Sequence, residues 1–504
     1  MENKLPVGLL EALHAAEGFD EKSFAEVHES GNQVVSVRMN PAKSHDAIFD
    51  YAEKVPWSRY GYYLPSRPSF ILDPLLHAGV YYVQEASGMF IEQCLAQHCD
   101  LNTTLRVLDL CAAPGGKSTL IQSLIHEDSV LVSNEVIKSR VGILTENLSK
   151  WGGANVIVTN NDPSDFSRLE NFFDVMVVDA PCSGSGLFRK DPGAISEWSE
   201  ELVAMCSQRQ KRILTAAYAS LKQGGLLVYS TCSYSVEEDE DIADWLMTTF
   251  DLESLHVQIH DDWNIVESHS ANHAAAGYRF FPDKVKGEGL YVACFRKNDG
   301  GDRFKALKKS KLSALPNKEA SLIHPWLRQP GKVQLYDAGA AVFAFPVRLA
   351  EELAAVQSAL YIKKAGVAVG KLMRQELVPT HELAISTLVN KNFNNFSLKR
   401  NDALQYLRKE EVTIDTDKKG WAVVSYNGHN LGWIKLLGNR INNYYPKEWR
   451  VLKSENNLII THNYSSLRLK SDDYEQKQVF LFVDRSCIGE CGGGAGLHST
   501  GHNS

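Results

Sequence analysis

Two cysteines each follow a predicted strand. Cys182 stands in Asp179-Ala180-Pro181-Cys182-Ser183-Gly184, and Cys232 stands in Ser230-Thr231-Cys232-Ser233. The strands before them, at 173–179 and 226–230, are the fourth and fifth of a series. If those strands are neighbours, both thiols face one crevice. Ionised cysteine is the strongest side-chain nucleophile near neutral pH. Two blander readings compete. A buried cysteine is often only a small apolar side chain, although the Pro, Ser, Thr and Gly neighbours are unlike a plain core. A metal site needs further ligands at short spacing, and neither segment has CxxC.

A second constellation lies upstream. An apolar run at 105–110 leads into Ala112-Ala113-Pro114-Gly115-Gly116-Lys117, and a helical stretch follows from Ser118. In a doubly wound sheet the ligand sits outside the carboxyl ends of the strands, at such a turn. Gly115 and Gly116 allow close backbone approach, and the following helix aims its N–H groups at whatever lies there. Neither GxGxxG nor GxxxxGK[ST] is present. Acidic residues then close three successive strands: Glu135, Asp162 and Asp179. Glu135 lies 19 residues beyond Gly116 and suits a ribose diol. Asp162 suits an exocyclic adenine amine. This is a nucleoside cradle without a pyrophosphate site, which favours S-adenosylmethionine over NAD. Each acid taken singly also reads as a helix cap.

These groups need a frame, and the chain supplies its pattern. Strands at 105–110, 130–133, 156–159, 173–179 and 226–230 alternate with helical stretches such as 138–150 and 200–221, the latter stopped by Gly224-Gly225. That alternation predicts βαβ units and a parallel sheet. Upstream, 33–40 reads as a strand and 56–87 as loops with short strands. Residues 297–320 read as a Lys-rich linker, 366–371 as a turn region, and 421–426 with 431–434 as a hairpin around Asn427-Gly428. The domains expected are 1–103, 104–297, 321–395 and 396–470, with a linker at 298–320 and a terminal segment 471–504, disordered from about 486.

Composition narrows the function. Apolar residues are 44% and charged residues 23% of 504, which excludes wholesale disorder. No run of 18 apolar residues occurs, so no membrane helix is expected. Nine scattered cysteines and no secretory signal suggest the cytoplasm. The net charge of −8 divides into −18 for residues 1–300 and +10 for 301–504, with +13 in 301–470. A basic module that meets a polyanion is one reading, and ordinary solvated charge is the other.

The two cysteine motifs, together with Asp109-Leu110-Cys111-Ala112-Ala113-Pro114-Gly115-Gly116-Lys117, resemble the Sun/Fmu family of RNA (cytosine-5)-methyltransferases. So do Val37-Arg38-Met39-Asn40, Tyr82-Val83-Gln84-Glu85-Ala86-Ser87, the acidic run Glu237-Glu238-Asp239-Glu240, Arg279-Phe280-Phe281-Pro282 and Gly287-Glu288-Gly289-Leu290-Tyr291. The likeness spans about residues 30–297, and Asn443-Tyr444-Tyr445-Pro446-Lys447-Glu448-Trp449-Arg450 points to the bacterial branch acting on small-subunit ribosomal RNA. Ser118 stands where the family usually has Thr, Glu135 where Asp is commoner, and Gly88 where another residue is more frequent.

The resemblance implies an α/β fold: a Rossmann-like class I methyltransferase core, a small α+β N-terminal domain and a β-rich, PUA-like C-terminal RNA-binding module. It implies S-adenosylmethionine held by Cys111 to Lys117, Glu135, Arg140, Asp162 and Asp179, and no metal. It makes Cys232 the nucleophile toward cytosine carbon 6, Asp179 the partner of N3, and Cys182 the aid to adduct release. Lys190 contacts the cytosine or its phosphate, or is a surface lysine. The expected partner is RNA, met by a monomer through Lys305, Lys308, Lys309, Lys311, Lys399, Arg400, Lys447 and Arg450, with Arg38 and its strand in an RNA-facing domain. Trp421, Trp433 and Trp449 are expected in the core. The alternatives are a transfer RNA methyltransferase of the same family, a catalytically silent RNA-binding factor and a small-molecule methyltransferase. Cys487, Cys491, His498 and His502 are a weak metal signal.

Overall fold

The structure is a computed structural model and describes residues 4–44, 48–301, 304 and 312–453. Its strands form four sheets. Val35–Met39 (β1), Glu53–Lys54 (β2), Gly61–Leu64 (β3) and Tyr81–Val83 (β4) make the first, in the order β2-β3-β1-β4. All of β1 is buried, because both of its faces are covered. Val35, Val37 and Met39 enter one core. Between them Arg38 points the other way, as the period of two requires. Its guanidinium donates to Gln84 Oε1 at 2.7 Å and Thr119 Oγ1 at 2.6 Å, and it stacks over Trp151. Arg38 is therefore not RNA-facing. It docks the N-terminal sheet onto the helix Gly116–Leu124, and burial lowers its pKa to about 9.

The second sheet carries the site. Arg106–Asp109 (β5), Val130–Asn134 (β6), Val156–Thr159 (β7), Phe173–Asp179 (β8) and Leu221–Thr231 (β9) are parallel and lie in the order β9-β8-β5-β6-β7. Leu252–Leu255 (β10), Val266–His269 (β11), Ala276–Phe280 (β12) and Leu290–Lys297 (β13) extend it antiparallel beyond β9. Both faces are covered, so the inner strands are apolar throughout. Val107, Leu131, Val158 and Val177 face one core with Leu120 and Leu144. Leu108, Val132, Ile157 and Val178 face the other with Phe166, Leu214 and Leu246. The strand order reverses about β5, which pairs in parallel with β6 on one side and β8 on the other, and this sets the crevice at their carboxyl ends. The helix expected to run to 221 ends at Tyr218, and β9 already begins at Leu221.

Val333–Asp337 (β14), Val342–Pro346 (β15), Ile362–Ala365 (β16), Val367–Met373 (β17) and Glu376–Pro379 (β18) follow. Four of them form the third sheet, β14-β15-β17-β18, while β16 joins the second sheet beside β7. The turn expected over 366–371 is thus a strand. Gly366 alone makes the change of direction, at φ +57°, where a Cβ would stand 2.1 Å from the Ala344 carbonyl oxygen. Within 297–320, the described end residues are held. Tyr218 Oη donates to Asp299 Oδ1, Gln223 N to Gly301 O, and Asn317 opens a helix.

The fourth sheet is Asn394–Ser397 (β19), Gly420–Tyr426 (β20), His429–Leu436 (β21) and Ile441–Asn443 (β22). The expected hairpin turns at Asn427 and Gly428, both at positive φ. Trp433 is fully buried and donates to Thr380 O, while Trp421 and Trp449 are half-buried. This sheet and the first share one core: Val37, Tyr81 and Leu75 pack with Leu404, Tyr406, Val424 and Tyr445. Two sheets far apart in the chain therefore close on each other. Leu404→Ala should cost about 2–5 kcal/mol, and because the core is shared, amide exchange should accelerate in β1 as well as β20.

Candidate active site

One cavity opens at the carboxyl ends of β5, β8 and β9. It is lined by Cys111, Ala112, Ala113, Pro114, Gly116, Lys117, Asp179, Lys190 and Cys232. The N-terminal sheet and the segment before β13 close its other side with Arg67, Tyr82, Gln84, Glu85 and Glu288.

The floor follows from the turn after β5. Gly115, at φ +113°, packs against Leu144 and starts the helix Gly116–Leu124. The carbonyls of the turn are held from behind, Ala113 by Arg140 Nη2 at 2.5 Å and Pro114 by Asn147 Nδ2 at 2.9 Å. Beneath the turn Asp109 is fully buried. Its Oδ2 accepts from Ser118 Oγ at 2.6 Å, its Oδ1 has no hydrogen-bond partner, and burial raises its pKa to about 7. Ser118 thus supplies the hydroxyl that the family's threonine would.

The three acids at the strand ends fare differently. Asp179 accepts from Lys117 Nζ at 2.6 Å and from Ser230 Oγ at 2.9 Å, so β8, β9 and the first turn meet there. Glu135 is buried, accepting from Ile137 N at 2.8 Å and facing Arg140 Nη1 at 3.4 Å. Asp162 is exposed and caps the turn Pro163–Leu169, with both bonds from Ser164 falling on Oδ1. Glu135, Arg140 and Asp162 therefore flank the cavity rather than line it.

The cysteines are brought together. Cys182 Sγ and Cys232 Sγ lie 2.9 Å apart as separate thiols. Cys232 is half-exposed and lines the cavity, whereas Cys182 is fully buried behind it. Cys111 also lines the cavity, but burial and the nearby carboxylates push its thiol well up. A thiol so held is a poor nucleophile. Cys94, Cys206 and Cys294 are ordinary core cysteines.

What aligns the two cysteine loops is a residue that sequence reasoning left without a role. Glu238 is fully buried and accepts from Ser183 N at 2.9 Å, Ser183 Oγ, Ser233 Oγ at 2.7 Å and Gln210 Nε2 at 2.9 Å. Ser183 follows one cysteine and Ser233 the other. Gly186 N donates to Cys232 O at 2.9 Å, and a Cβ at Gly186 would stand 2.7 Å from Gly289 O. The next two carboxylates are also paired. Arg279 meets Asp239 at 3.1 Å and binds Glu240 through two nitrogens. The signal was present in the sequence. Four successive acids after a strand are costly unless held, and a lone Arg279 lay downstream. Glu288 was missed as well: its Oε1 meets Arg189 at 3.3 Å, its Oε2 has no hydrogen-bond partner, and burial raises it to about 7.

The donor set fits S-adenosylmethionine. Asp179 at the cavity wall suits an ammonium, Lys117 a carboxylate and Glu135 a diol. Among the described residues no group of three His, Cys, Asp or Glu could hold a metal ion, and Cys487, Cys491, His498 and His502 lie outside those residues. No described helix is long and apolar enough to cross a membrane.

Comparison with known proteins agrees along the chain. The family description "16S rRNA methyltransferase RsmB/F" matches residues 96–296, "N-terminal domain of 16S rRNA methyltransferase RsmF" matches 5–86, and "Methyltransferase RsmF PUA domain" matches 393–451. Ribosomal RNA small subunit methyltransferase F of Aeromonas salmonicida is 31% identical over 431 residues, 81% of this chain and 86% of its own length. The Escherichia coli O157:H7 protein of that name is 29% identical, over 82% of this chain and 89% of its own. The crystal structure of PH0851 is 22% identical with a TM-score of 0.52, covering 59% of this chain and 67% of that one, a likeness of fold. With the cradle, the paired thiols and the PUA module all in place, the chain belongs to the RsmF branch of the 16S rRNA methyltransferase RsmB/F family, whose members use S-adenosylmethionine.

Proposed function

We propose that this chain methylates carbon 5 of a cytosine in small-subunit ribosomal RNA through a covalent Cys232 adduct. The observation that carries the reading is the pair of thiols 2.9 Å apart, one at the cavity wall beside Asp179 and one behind it. Carbon 5 of cytosine is a weak nucleophile. Addition of the Cys232 thiolate to carbon 6 gives carbon 5 the electron density it lacks. Negative charge then builds at N3, which on this reading Asp179 meets, and Lys117 Nζ, 2.6 Å from that carboxylate, is the proton donor that offsets it. When bound, S-adenosylmethionine would supply an electrophilic methyl group, and on this reading Cys111 to Lys117, with Glu135, Arg140 and Asp162 flanking the cavity, would hold it.

Release needs the carbon 5 proton to leave. As it leaves, the carbon 5–carbon 6 double bond re-forms and the carbon 6–sulfur bond breaks, returning the thiolate to Cys232. On this reading Cys182 assists that step by taking up the departing proton. Lys190, whose charge acts on Glu288, meets the cytosine or its phosphate. The base must leave its stack to enter such a cavity. RNA is held by exposed Lys399, Arg400, Lys447 and Arg450 of the PUA module. Lys305, Lys308, Lys309 and Lys311 lie outside the described residues. We read the chain as a monomer that works in the cytoplasm.

Labelled methyl transfer to small-subunit ribosomal RNA, assembled subunits and transfer RNA tests the reading. Ribosomal RNA should be labelled, Cys232→Ala should fall to background, and Cys182→Ala should trap a protein–RNA adduct on a denaturing gel. Label in transfer RNA alone would keep the chemistry and overturn the substrate. Cofactor binding without transfer to any of the three would overturn the enzyme reading.

Glu238 gives a second prediction. Glu238→Ala leaves several buried donors unpaired and should destabilise the chain by about 3 kcal/mol, with methyl transfer down about tenfold. Burial raises the Glu238 carboxyl from 4.5 to about 7. The folded chain then binds this proton more tightly than the unfolded one. Its contribution to stability is full below 4.5 and is lost as pH rises through about 7. Glu238→Gln does not titrate, so the urea midpoint should fall less for it than for the parent over that interval.

A further inference from the structure

β16 brings the C-terminal half of the chain to the outer edge of the catalytic sheet, antiparallel to β7, with Ile362 opposite Thr159 and Ala365 opposite Ile157. The residue just before it, Tyr361, is fixed at the carboxyl end of β7. Its N–H donates to Asn161 Oδ1 at 2.9 Å, and its carbonyl accepts from Asn160 N at 3.2 Å and Asn161 Nδ2 at 3.0 Å. The Tyr361 side chain is nevertheless 60% exposed. Ile362 packs into the core that holds Phe166 and Leu360. By strand alternation Tyr361 belongs to the opposite face, the one covered by the helix Lys138–Trp151 that begins just after Glu135.

The same asparagines tie this residue to the cradle. Asn160 Nδ2 donates to Glu135 O at 2.6 Å and Val136 O at 3.0 Å. Val136 and Ile137 are themselves exposed, at 51% and 38%. Large apolar side chains left in water at neighbouring strand ends mark a binding surface. Here Val136 and Ile137 follow Glu135 in the chain, Tyr361 is tied to Asn160 and Asn161 through its backbone while Lys363 Nζ stands 4.7 Å over its ring, and the exposed Asp162 carboxylate adjoins in sequence. An apolar wall with a carboxylate beside it suits a flat ring that bears an amine.

We propose that Tyr361, contributed by the C-terminal half of the chain, forms with Val136 and Ile137 the outer wall of the adenine subsite. The proposal rests on the cofactor reading above. The wall belongs to the neighbouring domain as much as to the catalytic one, because Gly366 turns β16 directly into β17 of the third sheet. Cofactor affinity is thereby linked to the seating of the C-terminal domain.

Titration calorimetry of the full-length chain with S-adenosylhomocysteine and with adenosine tests this. Tyr361 is exposed, so its variants keep the fold, and a thermal melt checks that. Tyr361→Ala should weaken both ligands by about tenfold and by the same factor, since both carry the adenine. Tyr361→Phe should stay within about twofold of the parent, because the ring is retained. Glu135→Gln serves as the control for the seat itself. If Glu135→Gln weakens binding and Tyr361→Ala does not, the cradle stands and the wall falls. If neither substitution changes binding, the cofactor reading falls and the proposal falls with it. If Tyr361→Phe loses as much as Tyr361→Ala, the hydroxyl is the contact and stacking is overturned.

Discussion

Removing a carboxylate from water is costly, and hydrogen bonds to it must offset the loss. Glu238 meets that condition by gathering donors from three places: Ser183 beside one cysteine, Ser233 beside the other, and Gln210 on the helix Glu200–Tyr218. The constraint is mutual. The carboxylate is tolerable only with both loops in place, and the loops hold their register only around it. The 2.9 Å approach of the two thiols is a consequence of this arrangement. So is the close contact of Gly186 with the segment before β13, which allows no side chain at that position.

Around this centre lies a layer of charge that the apolar cores do not supply. Arg279 crosses from β12 to Asp239 and Glu240, and its Nη1 also donates to Tyr234 O. Tyr229 of β9 donates to the carbonyl of Glu238. The strand that delivers Cys232 is thus bonded to the acid run that follows it. Such a layer adds little net stability over apolar packing but fixes one geometry. Two acids beside it, Asp109 and Glu288, each have an oxygen without a hydrogen-bond partner and a pKa near 7. Groups in that condition cluster where ligands bind.

Much of the catalytic domain was legible because its signals are local. Apolar runs, glycine turns and acids at strand ends occur in chain order, and the sheet takes β5, β6 and β7 in that order before returning to β8 and β9 on the other side of β5. The two cysteine motifs were readable for the same reason. What was not legible depends on distant partners. Arg38, placed with its strand in an RNA-facing domain, shows its inward role only when the helix Gly116–Leu124 is laid against it. Residues 366–371 look like a turn because Gly366 and Gly370 dominate, yet one glycine makes the bend and the rest pair as a strand. Asp162 was read as a ligand for the cofactor, and the described geometry gives it first the capping role that was its rival. Its bond to an adenine amine remains a proposal, now joined by the neighbouring Tyr361.

The shared core of the first and fourth sheets bears on how the chain is made. The apolar face of residues 35–81 leaves the ribosome early, whereas its cover, residues 398–451, is synthesised more than 300 residues later. At typical elongation rates of about 5–20 residues per second the gap is roughly 15–60 s. For that interval the N-terminal sheet is a half-built domain with an uncovered apolar surface. A chain cut short before residue 398 never acquires the cover, however complete its catalytic domain, so premature termination yields an aggregating fragment rather than a small working enzyme.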